Sequence, residues 1–372
     1  GPDYSSMQRH VNLAIAYNVW EYLWITEDKK FLENYGAELF FEICRFWASK
    51  AQLDEKTGRY EIDRVMGPDE FHEKYSDHTE GGLNNNSYTN LMVAWAFRHG
   101  FMLLEQMSKS AKKDLKEKIG LKNEEIVHWE AIASNLYIPI SEDNIIEQFE
   151  GYFDLKELDW EHYQKEYDDI HRMDRILKAE GKSPNAYKVA KQADVLMIFY
   201  LLTNEEVKKL LRDLGYQVPD DLLRKNFYYY LNRTSHGSTL SRLVHAYLAH
   251  TIRDHDLSWK LYTEALKSDY LDIQGGTTQE GIHTGVMTGT VFFALRAYAG
   301  INLDSKHLKI SPNLPQLWRK MKFNLSFKGD RYFFIVKNDI IRVKLEGEKT
   351  KLIIVHNKEF KLNPKEWITI EL

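Results

Sequence analysis

From about residue 7 to 300, apolar residues recur at steps of three and four, the period of a helix with one buried face. The stretch 31–51 is the clearest case. There Leu32, Tyr35, Leu39, Ile43, Phe46 and Trp47 fall on a single apolar stripe. The same spacing predicts helices over 7–27, 86–107, 123–137, 186–202, 204–214, 240–252, 256–268 and 281–299. Asn204 followed by Glu205 and Glu206 reads as a capped helix start. Long helices separated by polar loops predict antiparallel pairs stacked in a solenoid or a closed ring. The stretch 138–180 breaks the rhythm, being acidic and aromatic ("IEQFEGYFDLKELDWEHY") and too long for an ordinary connection. Its many rings predict a packed cover.

After about residue 305 the period changes to two. Met321, Phe323, Leu325 and Phe327 alternate with polar neighbours, as do Ile341, Val343 and Leu345. Gly-Asp and Asn-Asp pairs in "FKGDRYFF" and "KNDIIRV" supply hairpin turns. The expectation is a helical domain over 3–304 and a small antiparallel β domain over 305–372. The β part carries no cluster of His, Cys or acids, which assigns it a structural role.

Composition narrows the functional classes. Hydrophobic residues make up 43% and charged residues 28%, enough apolar mass for a sizeable core. Fifty basic and 55 acidic residues leave a net charge of −5, with no basic block to serve as a nucleic-acid footprint. No apolar run reaches the roughly 18 residues needed to span a bilayer. The single Cys44 cannot form an internal disulfide and sits in an apolar helical pattern, as expected of a core thiol in a cytoplasmic protein. The opening "GP" resembles the scar of a cleaved expression tag, so the natural N-terminus is expected to be missing.

Four stretches place small, polar and Gly residues inside this helix-forming chain. In "VMGPDEFHEKY", Pro68 fixes its own φ and Gly67 allows tight geometry, so Asp69 and Glu70 ride a stiff turn. This is either an exposed acidic loop or a mounted proton donor whose pKa can be tuned. The nearby "GGLNNNSYTN" offers three asparagines, either as a helix cap or as a wall for hydroxyl groups. In "KVAKQAD", Lys191 and Gln192 are either a solvated face or a pair of donors and an acceptor suited to sugar hydroxyls. In "RTSHGSTLSRLVHAY", Ser235, His236, Gly237, Ser238 and Thr239 precede an apolar-periodic helix, as N-caps or as an anion site. "QGGTTQEGIHTGVMTGT" repeats that arrangement around Glu280 and His283, and two such helix starts could converge on one phosphate. No metal-ligand spacing, Walker loop or nucleophile elbow occurs.

Together "QRHVNLAIAYNVWEY", "RFWAS", "VMGPDEFHE…LNNNSYTN", "KVAKQADVLM", "RTSHGSTLS" and "GGTTQEGIHTGVMTGT" resemble the signature blocks of glycoside hydrolase family 65, in order from about residue 8 to 372. That family holds maltose, trehalose, kojibiose and nigerose phosphorylases and some hydrolases. The resemblance implies a mainly α chain, part of an (α/α)6 barrel followed by a β-sandwich-like C-terminal domain. By position, Glu70 matches the general acid, with Asp69 beside it taken as substrate-binding. Lys191 and Gln192 match the pair holding the glucosyl unit. Ser238, Thr239 and His283 match the phosphate-binding residues, and His236 and Glu280 lie in the same blocks. Family members also carry an N-terminal β-sandwich and the first part of the barrel, including a Trp-Asp pair that grips the sugar. The chain therefore resembles a C-terminal portion, expected to need its N-terminal counterpart for activity, and homodimers are common in the family.

An inverting glycosidase needs an acid on the leaving oxygen and a base that activates water on the opposite face. Phosphate is already an anionic nucleophile, so phosphorolysis needs the acid and an anion site. "SHGSTLS" offers hydroxyls and no Asp or Glu. The expected reaction is inverting phosphorolysis of an α-glucoside to β-glucose 1-phosphate. Glu70 would be the proton donor, its pKa raised through burial, with inorganic phosphate as co-substrate and no other cofactor. A family 65 hydrolase and a non-catalytic sugar-binding scaffold remain the alternatives.

Overall fold

The computed structural model describes residues 3–273 and 277–372. Its helices are α1 (Val11–Thr26), α2 (Lys29–Phe31), α3 (Ala37–Ala48), α4 (Ser87–Gln106), α5 (Lys109–Ile119), α6 (Asn123–Asn135) and α7 (Trp160–Glu166). Then come α8 (Met173–Ala179), α9 (Asp194–Leu201), α10 (Asn204–Asp213), α11 (Leu222–Leu231), α12 (Thr239–Thr251), α13 (His255–Lys267) and α14 (Thr284–Phe293). A hairpin of β1 (Ala51–Asp54) and β2 (Arg59–Ile62) leads into the Glu70 turn.

The helices form two layers. In the inner one α1 packs on α4, α4 on α9, α9 on α12 and α12 on α14. Outside it α3 and α6 back α4, α11 backs α9, and α13 runs between α12 and α14. This is part of an (α/α)6 barrel. At the two ends of the arc, α1 leaves Val11 55% exposed and α14 leaves Val291 63% exposed, apolar faces uncovered at both edges.

Two expected helices differ. Leu32–Gly36 is a π-turn joining α2 to α3, and its wider turn changes the phase of the stripe. Tyr35 and Leu39 therefore swing outward, while Gly36, Ala37, Phe40 and Phe41 are buried in their place. The helix expected over 186–202 begins only at Asp194. Residues 188–193 stay out of the helix because outside partners take their amides: Ala190 N–H donates to Arg233 O at 2.8 Å and Lys191 N–H to the Asp69 carboxylate at 2.6 Å. Thr203, one residue before Asn204, caps α10, its Oγ1 accepting from Glu206 N–H at 3.2 Å.

The stretch 138–180 is the packed cover its rings suggested. It carries α7 and α8, and its Leu158, Tyr163, Met173 and Leu177 enclose Phe71, the residue after Glu70. At the C-terminal end lie β3 (Ile301–Asn302), β4 (Leu308–Ile310), β5 (Met321–Phe327), β6 (Asp330–Val336), β7 (Ile340–Glu346), β8 (Lys351–Val355), β9 (Lys358–Leu362) and β10 (Trp367–Glu371). They make two four-stranded sheets, ordered β10-β7-β6-β5 and β3-β4-β8-β9, that share one apolar core. Pairing is antiparallel except between β4 and β8. Because β3 already pairs with β4, the sheet begins before the expected boundary at 305. Trp24 Nε1 donates to Leu303 O at 2.5 Å and Lys328 N–H to Ile25 O at 2.7 Å, tying this domain to α1. No helix among the described residues is long and apolar enough to cross a membrane.

Candidate active site

The starts of the inner helices gather at one end, and the four expected stretches are the loops leading into them. The Glu70 turn is shaped by what lies behind it. A Cβ on Gly67 would sit 1.8 Å from Asp194 Oδ2 and 2.6 Å from Asn86 Nδ2, so only glycine lets the chain pass. Asn86 is the cap of α4, its Oδ1 accepting from Thr89 N–H at 3.0 Å, and its Nδ2 donates to Asp194 Oδ2 at 2.7 Å. Glu70 has φ 64°, the left-handed region that side chains other than glycine rarely occupy, which turns Asp69 inward and Glu70 outward.

Asp69 is 3% exposed and its carboxylate is fully engaged. Oδ1 accepts from Lys191 N–H at 2.6 Å and Gln192 N–H at 3.3 Å, and Oδ2 faces His72 Nδ1 at 3.0 Å. Its own N–H donates to Asp194 Oδ1 at 2.6 Å. Expected to bind substrate, Asp69 instead fastens the Lys191–Gln192 loop to the Glu70 turn. The Glu70 carboxyl is not buried as expected: its side chain is 43% exposed. Oε2 accepts from Lys191 Nζ at 2.5 Å and Oε1 from Gln8 Nε2 at 3.2 Å. Gln192 Nε2 donates to Pro68 O at 2.8 Å, which leaves its buried Oε1 without a hydrogen-bond partner among the described residues. An orphaned amide oxygen beside a lysine is an acceptor ready for a hydroxyl donor.

The third stretch meets the first two directly. A Cβ on Gly237 would lie 2.5 Å from His171 O, 3.2 Å from Lys191 Cγ and 3.4 Å from Phe71 Cζ. The approach to α12 is therefore wedged between the cover segment and the lysine that holds Glu70. Ser238 is the N-cap, its Oγ accepting from Leu240 N–H at 3.3 Å, and Thr239 beside it is buried. His236, with φ 55°, turns inward, its Nδ1 2.9 Å from Ser241 Oγ and its ring 4.7 Å from that of His245. Burial, then the neighbouring His245 and Arg242, hold its pKa well below the ordinary imidazole value. A neutral ring can offer an anion a hydrogen bond but no charge.

His283 caps α14. Asp269 Oδ2 accepts its N–H at 2.9 Å and Oδ1 lies 2.5 Å from its Nδ1, leaving Nε2 as the ring nitrogen open to a ligand. Arg242 Nε donates to Glu264 Oε2 at 3.1 Å, joining the first turn of α12 to the last turn of α13, where Asp269 follows. The two ties bring His283 to the same end of the layer as Ser238 and Thr239. Residues 274–276 of the fourth stretch and the side chain of Glu280 lie outside the described residues. No cluster of His, Cys, Asp or Glu among the described residues could hold a metal ion.

Sequence reasoning did not single out Asp194, the buried carboxyl behind the turn. Burial, then the Asp69 charge, pushes its pKa well up. Its only sequence signal is an acid directly after Lys-Gln-Ala, since burial is not written in a local pattern. A separate cavity of about 300 Å³ lies at the other end of the helices, lined by Tyr17, Trp20, Glu21, Trp95, Glu206 and Asp304 among others. There burial, then the Asp304 charge, pushes Glu21 up to about 7.

Comparison with known proteins adds independent findings. The model of the glycosyl hydrolase family 65 central catalytic domain matches residues 1–292, and that of the family's C-terminal domain matches residues 301–362. The trehalose 6-phosphate phosphorylase of Lactococcus lactis subsp. lactis is 44% identical over 337 residues, covering 91% of this chain and 42% of the relative. The kojibiose phosphorylase of Caldanaerobacter subterraneus subsp. tengcongensis is 32% identical over 362 residues, covering 96% of this chain and 44% of the relative. A solved structure assigned as a kojibiose phosphorylase from the human microbiome superposes with a TM-score of 0.80 at 23% identity, over 97% of this chain and 49% of that one. The chain thus spans less than half the length of these curated relatives.

Proposed function

Because the chain belongs to glycosyl hydrolase family 65, we propose that it carries the proton donor and the phosphate site of an inverting disaccharide phosphorylase. The observation that supports this most is the contact of Lys191 with both Glu70 and the Gly237–Ser238 loop, which joins an acid to a hydroxyl-bearing helix start.

A glucosyl unit seated there would take hydrogen bonds from Lys191 Nζ and give one to the orphaned Gln192 Oε1. Drawing Lys191 onto sugar hydroxyls frees the Glu70 carboxyl to donate its proton to the departing glycosidic oxygen. A phosphate oxygen, held by Ser238, Thr239, His283 Nε2 and the amides that open α12 and α14, attacks the anomeric carbon from the opposite face. The C–O bond to the leaving sugar breaks as the new C–O–P linkage forms, and the products are β-glucose 1-phosphate and a free sugar. A covering sugar and the remainder of the enzyme would supply the burial a carboxylic acid needs to keep its proton near neutrality.

Relatives named for trehalose 6-phosphate and kojibiose make an α-glucosyl disaccharide the substrate to test first. Cys44, a buried thiol whose pKa burial raises, suits the cytoplasm. The test is to incubate the full-length protein with trehalose 6-phosphate, trehalose, kojibiose or maltose, with and without inorganic phosphate. β-Glucose 1-phosphate released only when phosphate is present is the expected result. Release of free glucose at equal rates in both conditions replaces this reading with hydrolysis.

A further inference from the structure

We propose that Arg242 is a phosphate ligand at the start of α12, an inference that rests on the phosphorolytic reading above. The feature that points to a ligand is an unpartnered donor group. Arg242 is 4% exposed, yet its Nη1 has no hydrogen-bond partner among the described residues. A guanidinium carries five N–H donors and no acceptor, and burying the two on Nη1 unused is costly unless something arrives to accept them.

The rest of the side chain is fixed, so the open edge is held in place. Nε donates to Glu264 Oε2 at 3.1 Å and Nη2 donates to His171 Nε2 at 2.6 Å. Because that nitrogen accepts, the His171 proton is on Nδ1, which faces Asp169 Oδ1 at 2.7 Å. Burial, then Arg242 itself, lowers the His171 pKa and keeps the ring in this neutral form. Glu264 and His171 thus hold the guanidinium at Nε and Nη2, with Asp169 on the far side of the His171 ring.

Its direction follows from helix geometry. Residue 242 lies three positions after Thr239 and four after Ser238, on the same helical face, and side chains on a helix lean toward its N-terminus. The contacts agree: the histidine that Arg242 touches places its carbonyl 2.5 Å from the Cβ position of Gly237, immediately before Ser238. The open edge is therefore carried toward the loop where hydroxyls and helix-start amides already favour an anion. A planar fork beside them is the group that binds phosphate oxygens with defined geometry. Glu264 balances the charge, so the site accepts an anion without holding a bare buried cation. Two phosphates have this chemistry, free orthophosphate and the phosphoryl group of a phosphorylated disaccharide.

The experiment compares wild type with R242K in the full-length protein, measuring KM for orthophosphate and for trehalose 6-phosphate and trehalose. Lysine keeps the charge beside Glu264 and removes the fork. A rise of roughly ten- to a hundred-fold in the orthophosphate KM, the scale of one charge-assisted hydrogen bond, is expected if orthophosphate is the ligand. If the sugar phosphate is the ligand, the rise is confined to trehalose 6-phosphate and spares trehalose. All three constants staying within two-fold in R242K overturns the proposal. Should wild type form no glucose 1-phosphate from any disaccharide, the phosphorolytic reading fails by itself, and orthophosphate protection against thermal unfolding then tests the arginine. Protection in wild type that R242K loses upholds the site, and equal protection or none in both proteins removes it.

Discussion

Replacing Gly67 with alanine adds one methyl group at the point where the acid-bearing turn crosses a buried carboxyl. The new Cβ would stand 1.8 Å from Asp194 Oδ2, so one of them must retreat by at least ~1.2 Å to reach the 3.0 Å floor of real contacts. Asp194 cannot yield cheaply. It accepts from Asn86 Nδ2 at 2.7 Å and from Asp69 N–H at 2.6 Å, and its own N–H is held by Gln148 Oε1 at 2.7 Å. Breaking one or two such buried bonds at about 1–3 kcal/mol each, or straining the turn by a comparable amount, predicts a loss of about 3–5 kcal/mol. If the turn moves instead, Glu70 moves with it, and a displacement near 1 Å costs on the order of 10² in kcat/KM. Urea unfolding followed by tryptophan fluorescence, together with glucose 1-phosphate release, reads both. Gly285, the second residue of α14, is the contrasting case: nothing lies within 4 Å of its Cβ position, so Gly285→Ala is expected to stabilise by about 0.5–1 kcal/mol. A Gly67→Ala protein within about 0.5 kcal/mol of wild type and with unchanged turnover would refute the steric reasoning.

Glu70→Gln should lower glucose 1-phosphate formation by about 10²–10⁴ while the unfolding midpoint stays put, because a half-exposed ion pair contributes little. Turnover within a few-fold of wild type would remove Glu70 from the proton-donor role. At the far cavity, Glu21 has its pKa raised from 4.5 to about 7, so the folded chain keeps a proton that the unfolded chain has released. Its contribution to stability is complete below about pH 4.5 and is lost as pH rises through about 7. Glu21→Gln should therefore gain on wild type in thermal midpoint across that window, and a difference that does not vary with pH contradicts the assignment.

Much of this was legible before the coordinates, and the exceptions have physical causes. Helical periodicity located α1, α6, α10 and α13 to within a few residues because each buries one face against a neighbour, and it also found α4 and α12, which are buried all round through Ser87–Phe97 and Ser241–Ala246. It missed α5, whose "KSAKKDLKEKI" is almost wholly polar and rests on the barrel through Leu115. It extended α9 backward through Lys191 and Gln192, since apolar spacing cannot reveal that a distant carboxylate takes the amides of both. Glu70, the Lys191–Gln192 pair and the helix starts were found as motifs and lie at one end of the inner layer. What spacing could not convey was orientation: Asp69 faces in and Glu70 out because a single left-handed residue separates their directions. The partners of Arg242 were equally invisible, coming from two segments distant in sequence, one ending at His171 and the other carrying Glu264.

The carboxylate of Asp69 welds two loops more than a hundred residues apart in sequence into one rigid part. Glu70 and the Lys191–Gln192 pair are consequently displaced together or not at all, and neither can be adjusted alone by reshaping its own loop. Reshaping either loop by itself therefore has little room to act. Variation belongs in the 138–180 segment, which leans on this part through Phe71 and the His171 carbonyl and can change its outer face without disturbing the turn beneath.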